Sequence, residues 1–283
     1  MSLVEPKKGV AFFCLGGAYN GAFGAGVLQG FWDNDFTPSY MQLSSVGALN
    51  GLQPLGGPKN SRLYDIWLEI ENRGPDFIFR LWGAAFNWRH SHLFGTKGLK
   101  ALIDTLDIEK IFNSPVTVEV VAKDDEFAFF KNRYASRQKV KERENFYKSI
   151  FATTALQGVF PPVLINGRWY SDPLIIDLNR APAHNCKHIY VISNEHDNLA
   201  SPEPQNEWWL NRIGQILTTT LYGWIYEKIV VFQLVHPECQ VTIIKPTKSL
   251  PNLSTFYFKK GAIKEALDHG YNLATKIAKS RPD

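Results

Sequence analysis

Apolar runs punctuated by glycine set the frame of this chain. "GVAFFCL", residues 9–15, is continuously apolar and stops at Gly16 and Gly17, after which "GAFGAGVLQGFW" brings apolar side chains back at helical spacing. The pattern predicts a strand, a glycine turn and a helix. "MQLS" reads as a second short buried strand, and "VGALNGLQPL" as a helix that begins just after Ser45. "SRLYDIWLEIEN" puts Leu63, Ile66, Trp67 and Ile70 on one helical face. "TKGLKALIDTLDIEKIF" reads as helix, "VTVEVVA" and "EFAFFK" as strands, and a further helix is expected over about 143–155.

Beyond it, "GVFPPVLINGRWYSDP" is rich in turn residues and carries a short strand, while "HIYVIS" and "QVTIIKP" are strands of the later chain. The long segment between them places Trp209, Ile213, Ile216, Thr220 and Trp224 on an inward helical stripe, widened by Leu217, Leu221 and Ile225. A closing amphipathic helix turns Ile263, Ala266, Leu267, Gly270, Ala274 and Ile277 inward. Apolar strands alternating with helices predict an α/β protein with a mostly parallel sheet covered on both faces. One domain over 1–283 is expected. Residues 74–95, "GPDFIFRLWGAAFNWRHSHLFG", are aromatic and periodic in neither sense, and an aromatic lid or pocket wall is expected at about 75–95.

With 45% hydrophobic and 20% charged residues, composition excludes a disordered or fibrous chain. The net charge of +4 is too weak to argue for a nucleic-acid partner without a clustered basic stripe, and "RQKVKER" reads as a solvated helix face. Three cysteines, Cys14, Cys186 and Cys239, without framework spacing favour a reducing compartment, so a cytoplasmic location is expected. No four-ligand zinc spacing can be assembled around Cys186 and His188 or around His90 and His92, so neither a metal nor a cofactor is expected. Lys7 and Lys8 before an apolar run imitate a secretory signal, but the run gives way to glycines and Asn20 and is read as the first strand. No apolar run approaches the roughly 18 residues that a spanning helix needs.

In an open parallel sheet ligands sit outside the carboxyl ends of the strands, which is where both the glycine turn and Ser45 fall. Ser45 stands where a strand gives way to a helix, as a serine nucleophile does on a sharp elbow that small neighbours tolerate best. Gly47 follows two residues later, but Leu43 occupies the position where G-x-S-x-G wants glycine. Ser44 is a rival with a worse setting, since Val46 is its second following residue. The glycine turn aims backbone N–H groups near Gly17 and Ala18 at one spot, an oxyanion hole in one reading. In another reading Gly16, Gly21 and Gly24 loosely imitate a dinucleotide fingerprint, but no acid ends the second strand; Asp33 and Asp35 precede it. Asp172 follows a short strand and precedes Pro173, a common turn setting.

Taken in order, "GGAYNGAFGAGVL", "SSVGALNG" and "GVFPPVLINGRWYSDP" resemble the patatin-like phospholipases, whose chains open with a strand and Gly-Gly-Gly-x-Arg-Gly, continue to Gly-x-Ser-x-Gly followed by Ala-Leu-Asn, and later show Asp-Gly-Gly or Asp-Gly-Ala. The resemblance runs from Gly9 to about Asn179 and marks a divergent member. It implies a three-layer α/β/α fold and a serine acyl-ester hydrolase acting on phospholipid or acylglycerol esters. It further implies a catalytic dyad of Ser45 and Asp172, an elbow flanked by Leu43 and Gly47, and an oxyanion hole from Gly16, Gly17, Ala18, Asn20 and Gly21.

Such a base needs a partly desolvated pocket, for which Phe160, Trp169 and Tyr170 are the expected wall. Asp177 is the runner-up base, and His236 and His269 would serve only a triad of the α/β-hydrolase kind. The chain departs from the family pattern at Leu43, Ala18, Asn20 and Pro173. Leu43 is expected to crowd the elbow, Ala18 to donate if its φ is ordinary, and Asn20 to weaken stabilisation by removing a charge. Pro173 fixes φ beside the proposed base. A catalytically impaired lipid-binding relative is therefore the first alternative and a nucleotide-binding α/β protein the second. The tryptophan-rich segments suit a lipid acyl-ester partner and a peripheral membrane contact.

Overall fold

The computed structural model describes residues 5–58, 62–79, 95–133, 139–195, 223–248, 250 and 252–280. Among them a six-stranded sheet is built from β1 (Lys7–Cys14), β2 (Pro38–Leu43), β3 (Thr117–Lys123), β4 (Phe127–Lys131), β7 (His188–Ile192) and β8 (Gln240–Ile244), in the order β4-β3-β2-β1-β7-β8. All neighbours are parallel except β4, which returns antiparallel beside β3 at one edge. A separate hairpin pairs β5 (Val163–Ile165) with β6 (Arg168–Tyr170) across Asn166 and Gly167, both at positive φ, the geometry an Asn-Gly turn favours. A bridge from Ser171 to Lys123 hangs this hairpin on the carboxyl end of β3.

β1 shows why its run is apolar throughout. Val10, Phe12 and Cys14 enter the core on one face of the sheet, and Ala11 and Phe13 enter the core on the other. A strand covered on both faces has no polar alternation to display. The first face is packed by α1 (Gly21–Asp33), α2 (Val46–Gly56), α3 (Leu63–Arg73) and, later in the chain, α6 (Lys139–Thr154) and α9 (Ala262–Lys279). The second face is packed by Ile176, Leu178 and Ala181 around the short α7 (Arg180–Ala183) and by Ile225, Ile229 and Phe232 of α8, residues 223–235. Helix-bearing layers on both faces give the mixed α/β architecture expected from the alternation of elements.

α1 is buried from Gly21 to Trp32, because α9 crosses it backbone to backbone. A β-carbon on Gly26 would run into the Leu267 carbonyl, and one on Gly270 into that of Phe23. This close crossing seats the start of α1, and the loop before it, at the carboxyl edge of the sheet. The segment expected as one helix after Thr96 breaks in two, α4 (Lys97–Ile103) and α5 (Ile108–Phe112), since the Asp107 side chain accepts the Lys110 N–H and caps a new start. Trp224, expected inward, is 55% exposed, and Ile225, Ile229 and Phe232 carry the buried face of α8 instead. The rest of that predicted stripe and most of the aromatic segment at 75–95 lie outside the described residues.

Two polar ties hold the segment after β6 under the sheet. Gln42 donates to the Asp177 carbonyl at 3.1 Å and accepts the Asp177 N–H at 2.6 Å. Glu119, fully buried on β3, accepts from Tyr40 at 2.7 Å and from both Nε and Nη2 of Arg180 at 3.0 and 2.5 Å. Burial pushes the Glu119 carboxyl up, but hydrogen bonds from His184, Arg180, Tyr40 and Lys131 outweigh it and hold the group well below the usual carboxylate range.

Candidate active site

The strand order reverses between β2 and β7, on either side of β1, and a parallel sheet opens a crevice at such a point. The loops leaving β1, β2 and β7 meet there, joined by the segment after β6. Ser45 lies two residues past the end of β2 and has φ 55° and ψ −132°, a strained conformation that turns the chain sharply into α2. Gly47 makes the turn sterically feasible, because a β-carbon there would strike the Cys14 carbonyl, which also accepts the Ser44 N–H at 3.0 Å. The Ser45 N–H donates to the buried Thr153 Oγ1 at 2.9 Å. Ser44 points elsewhere: it is fully buried and its hydroxyl has no hydrogen-bond partner among the described residues.

Leu43 does not crowd the elbow. Its side chain is buried in the core beneath α2, where Gly51 leaves it room; a β-carbon on Gly51 would lie 2.6 Å from Leu43 Cδ2. The glycine missing at position 43 is answered by one eight residues later, on the facing helix.

Asp172 is 5% exposed and lines the same cavity as Ser45. Its backbone N–H donates to the Ala155 carbonyl at 3.0 Å, and its Oδ1 accepts the Leu174 N–H at 2.8 Å. Pro173 therefore occupies the middle of an Asx turn, where no N–H is needed, and the left-handed backbone falls on Leu174 at φ 62°. Burial raises the Asp172 carboxyl from 3.8 to about 7, opposed by the nearby Ser45 side chain and by the hydrogen bond from the Leu174 N–H. Thr153 and Ala155, at the end of α6, thus fix nucleophile and carboxylate from one short stretch of chain.

The glycine loop lies directly on Ser45. A β-carbon on Gly16 would stand 2.9 Å from Ser45 Cβ and 3.3 Å from its Oγ. Ala18 departs from expectation with φ 48°, the left-handed region where glycine is the easier residue, so the loop keeps its turn at some strain. The N–H groups of Gly16, Gly17 and Ala18 donate to no acceptor among the described residues, whereas the Asn20 N–H donates to the Gly17 carbonyl and the Gly21 N–H to Ala18 and Tyr19. Among the described residues, three of the five loop residues meet no acceptor for their N–H.

Two residues that sequence reasoning missed complete the crevice. Asn194, just past β7, donates from Nδ2 to the carbonyls of Leu15 and Gly16 at 2.9 and 2.8 Å and accepts the Gly24 N–H at 3.0 Å. Glu195 accepts from the Asn20 side chain at 2.9 Å. The only sequence signal for either was a polar pair at the carboxyl end of a buried strand.

The cavity around Ser45 has two lobes that share Ala18, Ser45, Phe79, Thr154 and Phe160. One is apolar, lined by Leu49, Ile66, Trp67, Ile70, Leu99 and Leu102 among others. The other contains Asp172, Ser193, Asn194, Glu195 and Thr255 with Phe79, Phe160 and Phe256. Phe160 is thus part of the wall as expected. Trp169 is not: it is 61% exposed and paired across the hairpin with Leu164, also exposed, while Tyr170 packs on Phe130. Asp177 accepts from Asn179, His236 faces Glu238, and His269 accepts from Thr247, so none of these alternatives reaches the cavity.

A serine on a strained strand-to-helix turn, under a glycine loop and beside a buried carboxyl at the edge of a parallel sheet, defines an α/β protein of the serine-elbow class. Residues 14–177 match the family model for patatin-like phospholipases, and the chain belongs to that family, whose members hydrolyse lipid esters. The solved structure of VipD from Legionella pneumophila is similar over 97% of this chain and 67% of its own, at 11% identity and a TM-score of 0.41. None of the curated proteins matches the chain. Among the described residues no helix is long and apolar enough to cross a membrane.

Proposed function

We propose that this protein is a serine acyl-ester hydrolase of lipid esters, with Ser45 as nucleophile and Asp172 as base. The observation that carries the reading is a strained Ser45 sharing its cavity with a carboxyl that burial lifts to about 7, where it can both take and return a proton near neutral pH. Asp172 takes the Ser45 hydroxyl proton as Oγ bonds to the ester carbonyl carbon. The resulting oxyanion is stabilised by the N–H groups of Gly16, Gly17 and Ala18. Collapse breaks the bond to the alcohol oxygen, which leaves with the proton from Asp172, and the acyl group stays on Ser45. Asp172 then deprotonates a water that attacks the acyl-serine, releasing the fatty acid and restoring the hydroxyl. The apolar lobe holds the acyl chain, and the lobe containing Ser193 and Thr255 holds the alcohol half. Peripheral contact with a lipid surface fits substrates of this kind.

Steady-state hydrolysis of p-nitrophenyl decanoate tests the reading. Ser45→Ala and Asp172→Asn are each expected to lower kcat by at least about 10³-fold, the scale seen when one member of such a constellation is lost. Retained turnover in either variant would overturn it. A second reading, a catalytically impaired lipid-binding relative, is favoured by one observation: the Glu195 carboxylate lies against the glycine loop, with Oε1 3.5 Å from where a β-carbon on Gly17 would stand, and a negative charge there opposes an oxyanion. That reading predicts saturable binding of the ester without release of p-nitrophenol by the wild type.

A further inference from the structure

Glu195 is not used by the chemistry above, yet it lines the same cavity as Ser45 and Asp172. It is held in place by Asn20, whose side chain supplies a hydrogen bond and no charge. No lysine, arginine or histidine is among the described residues lining either lobe. Burial pushes the Glu195 carboxyl up to about 7, with the Asn20 hydrogen bond pulling the other way.

Three phenylalanines share this lobe. Phe79 stacks on Phe160 at 5.6 Å between centroids and meets Phe256 edge to face at 5.1 Å. Aromatic faces and two carboxyls, with no cation among the described lining residues, form a lobe suited to an ammonium group, most of all a quaternary one, which takes its attraction from ring faces and from charge rather than from directed hydrogen bonds. The same lobe is hostile to an anionic head group, which would sit beside two carboxyls with nothing of opposite sign among the described lining residues.

We propose that Glu195 is the specificity-determining residue for the alcohol half of the substrate, and that this lobe takes esters whose alcohol carries an ammonium group. The assignment rests on the hydrolase reading for the position of the scissile ester between the two lobes. It also answers the difficulty that Glu195 raises for that reading. A bound ammonium neutralises the carboxylate beside the glycine loop, so the charge opposing the oxyanion is offset only when the fitting substrate is present.

The test compares hexanoylcholine with 3,3-dimethylbutyl hexanoate, which has the same shape and acyl chain but no charge. Binding to the Ser45→Ala protein is measured by calorimetry, and hydrolysis by the protein with Ser45 intact, each with and without Glu195→Gln. The glutamine keeps the acceptor for Asn20, so a merely structural role would leave the charge preference unmoved. The expected result is a preference of about tenfold or more for the choline ester in affinity and in kcat/KM, collapsing towards unity in Glu195→Gln, with the affinity for the uncharged ester changed by less than about twofold and its kcat/KM raised by loss of the charge that opposes the oxyanion. Equal preferences with and without Glu195→Gln, in binding and in turnover, would overturn the proposal. Charge-selective binding without any hydrolysis would leave it standing and sink the hydrolase reading instead.

Discussion

Replacing Asp172 by asparagine should stabilise the protein at neutral pH, and by an amount that depends on pH. The carboxyl is 5% exposed, and burial lifts it from 3.8 to about 7 against the nearby Ser45 side chain and the Leu174 N–H. Between those values the folded chain keeps a proton that the unfolded chain has released. The wild type therefore has its full stability below about 4 and loses it as pH rises through 7. A gap of about three pH units at about 1.4 kcal/mol each is on the order of 4 kcal/mol. Asparagine has the same shape, its Oδ1 can still accept the Leu174 N–H, and it does not titrate. Urea unfolding of both proteins from pH 5 to pH 8 should show the variant gaining on the wild type by roughly 1 kcal/mol per pH unit up to about pH 7 and levelling off above it. Glu195 is present in both proteins and cancels in the difference. A stability difference flat to within about 0.5 kcal/mol over that range would refute the claim that the carboxyl is held in a desolvated site.

Other perturbations separate the parts of the crevice. Thr153→Val removes the acceptor of the Ser45 N–H at constant shape; a loss of about 1–3 kcal/mol in urea unfolding is expected, with ester hydrolysis falling at least tenfold in protein that remains folded. Leu43→Gly restores the family's elbow glycine but empties the space under Gly51, so calorimetry should show a loss of about 3 kcal/mol or more and no gain in rate. Ile66→Trp fills the apolar lobe, and the ratio of decanoate to acetate hydrolysis should fall at least tenfold if acyl chains lie there. The pH profile of kcat/KM should lose its rate below about 7, where Asp172 binds the proton it must accept.

What could be read in advance follows from how local each feature is. The continuous apolar run of β1, the glycines after it and the turn at Ser45 are neighbours in sequence, and their patterns carried over to the folded chain. Asp172 was found through an ordered set of motifs. The meaning of Leu43 depends on Gly51 across a helix packing, and Pro173 is harmless because the Asx turn draws its hydrogen bond from Leu174. Neither fact is visible in a ten-residue window. Asn194 and Glu195 reach the glycine loop from some 175 positions away, through the pairing of β7 with β1. Trp169 and Trp224 were misplaced for a simpler reason: large aromatic side chains suggest an interior, but one lies on the outer face of a two-stranded hairpin and the other on the outer side of α8.

The most direct test of Ser45 as a working nucleophile is the intact mass of the protein after reaction with a fluorophosphonate. A single covalent adduct is expected on the wild type, none on Ser45→Ala, and labelling slowed by orders of magnitude in Asp172→Asn. Folded wild type that takes up no adduct, or an adduct that persists in Ser45→Ala, would contradict it.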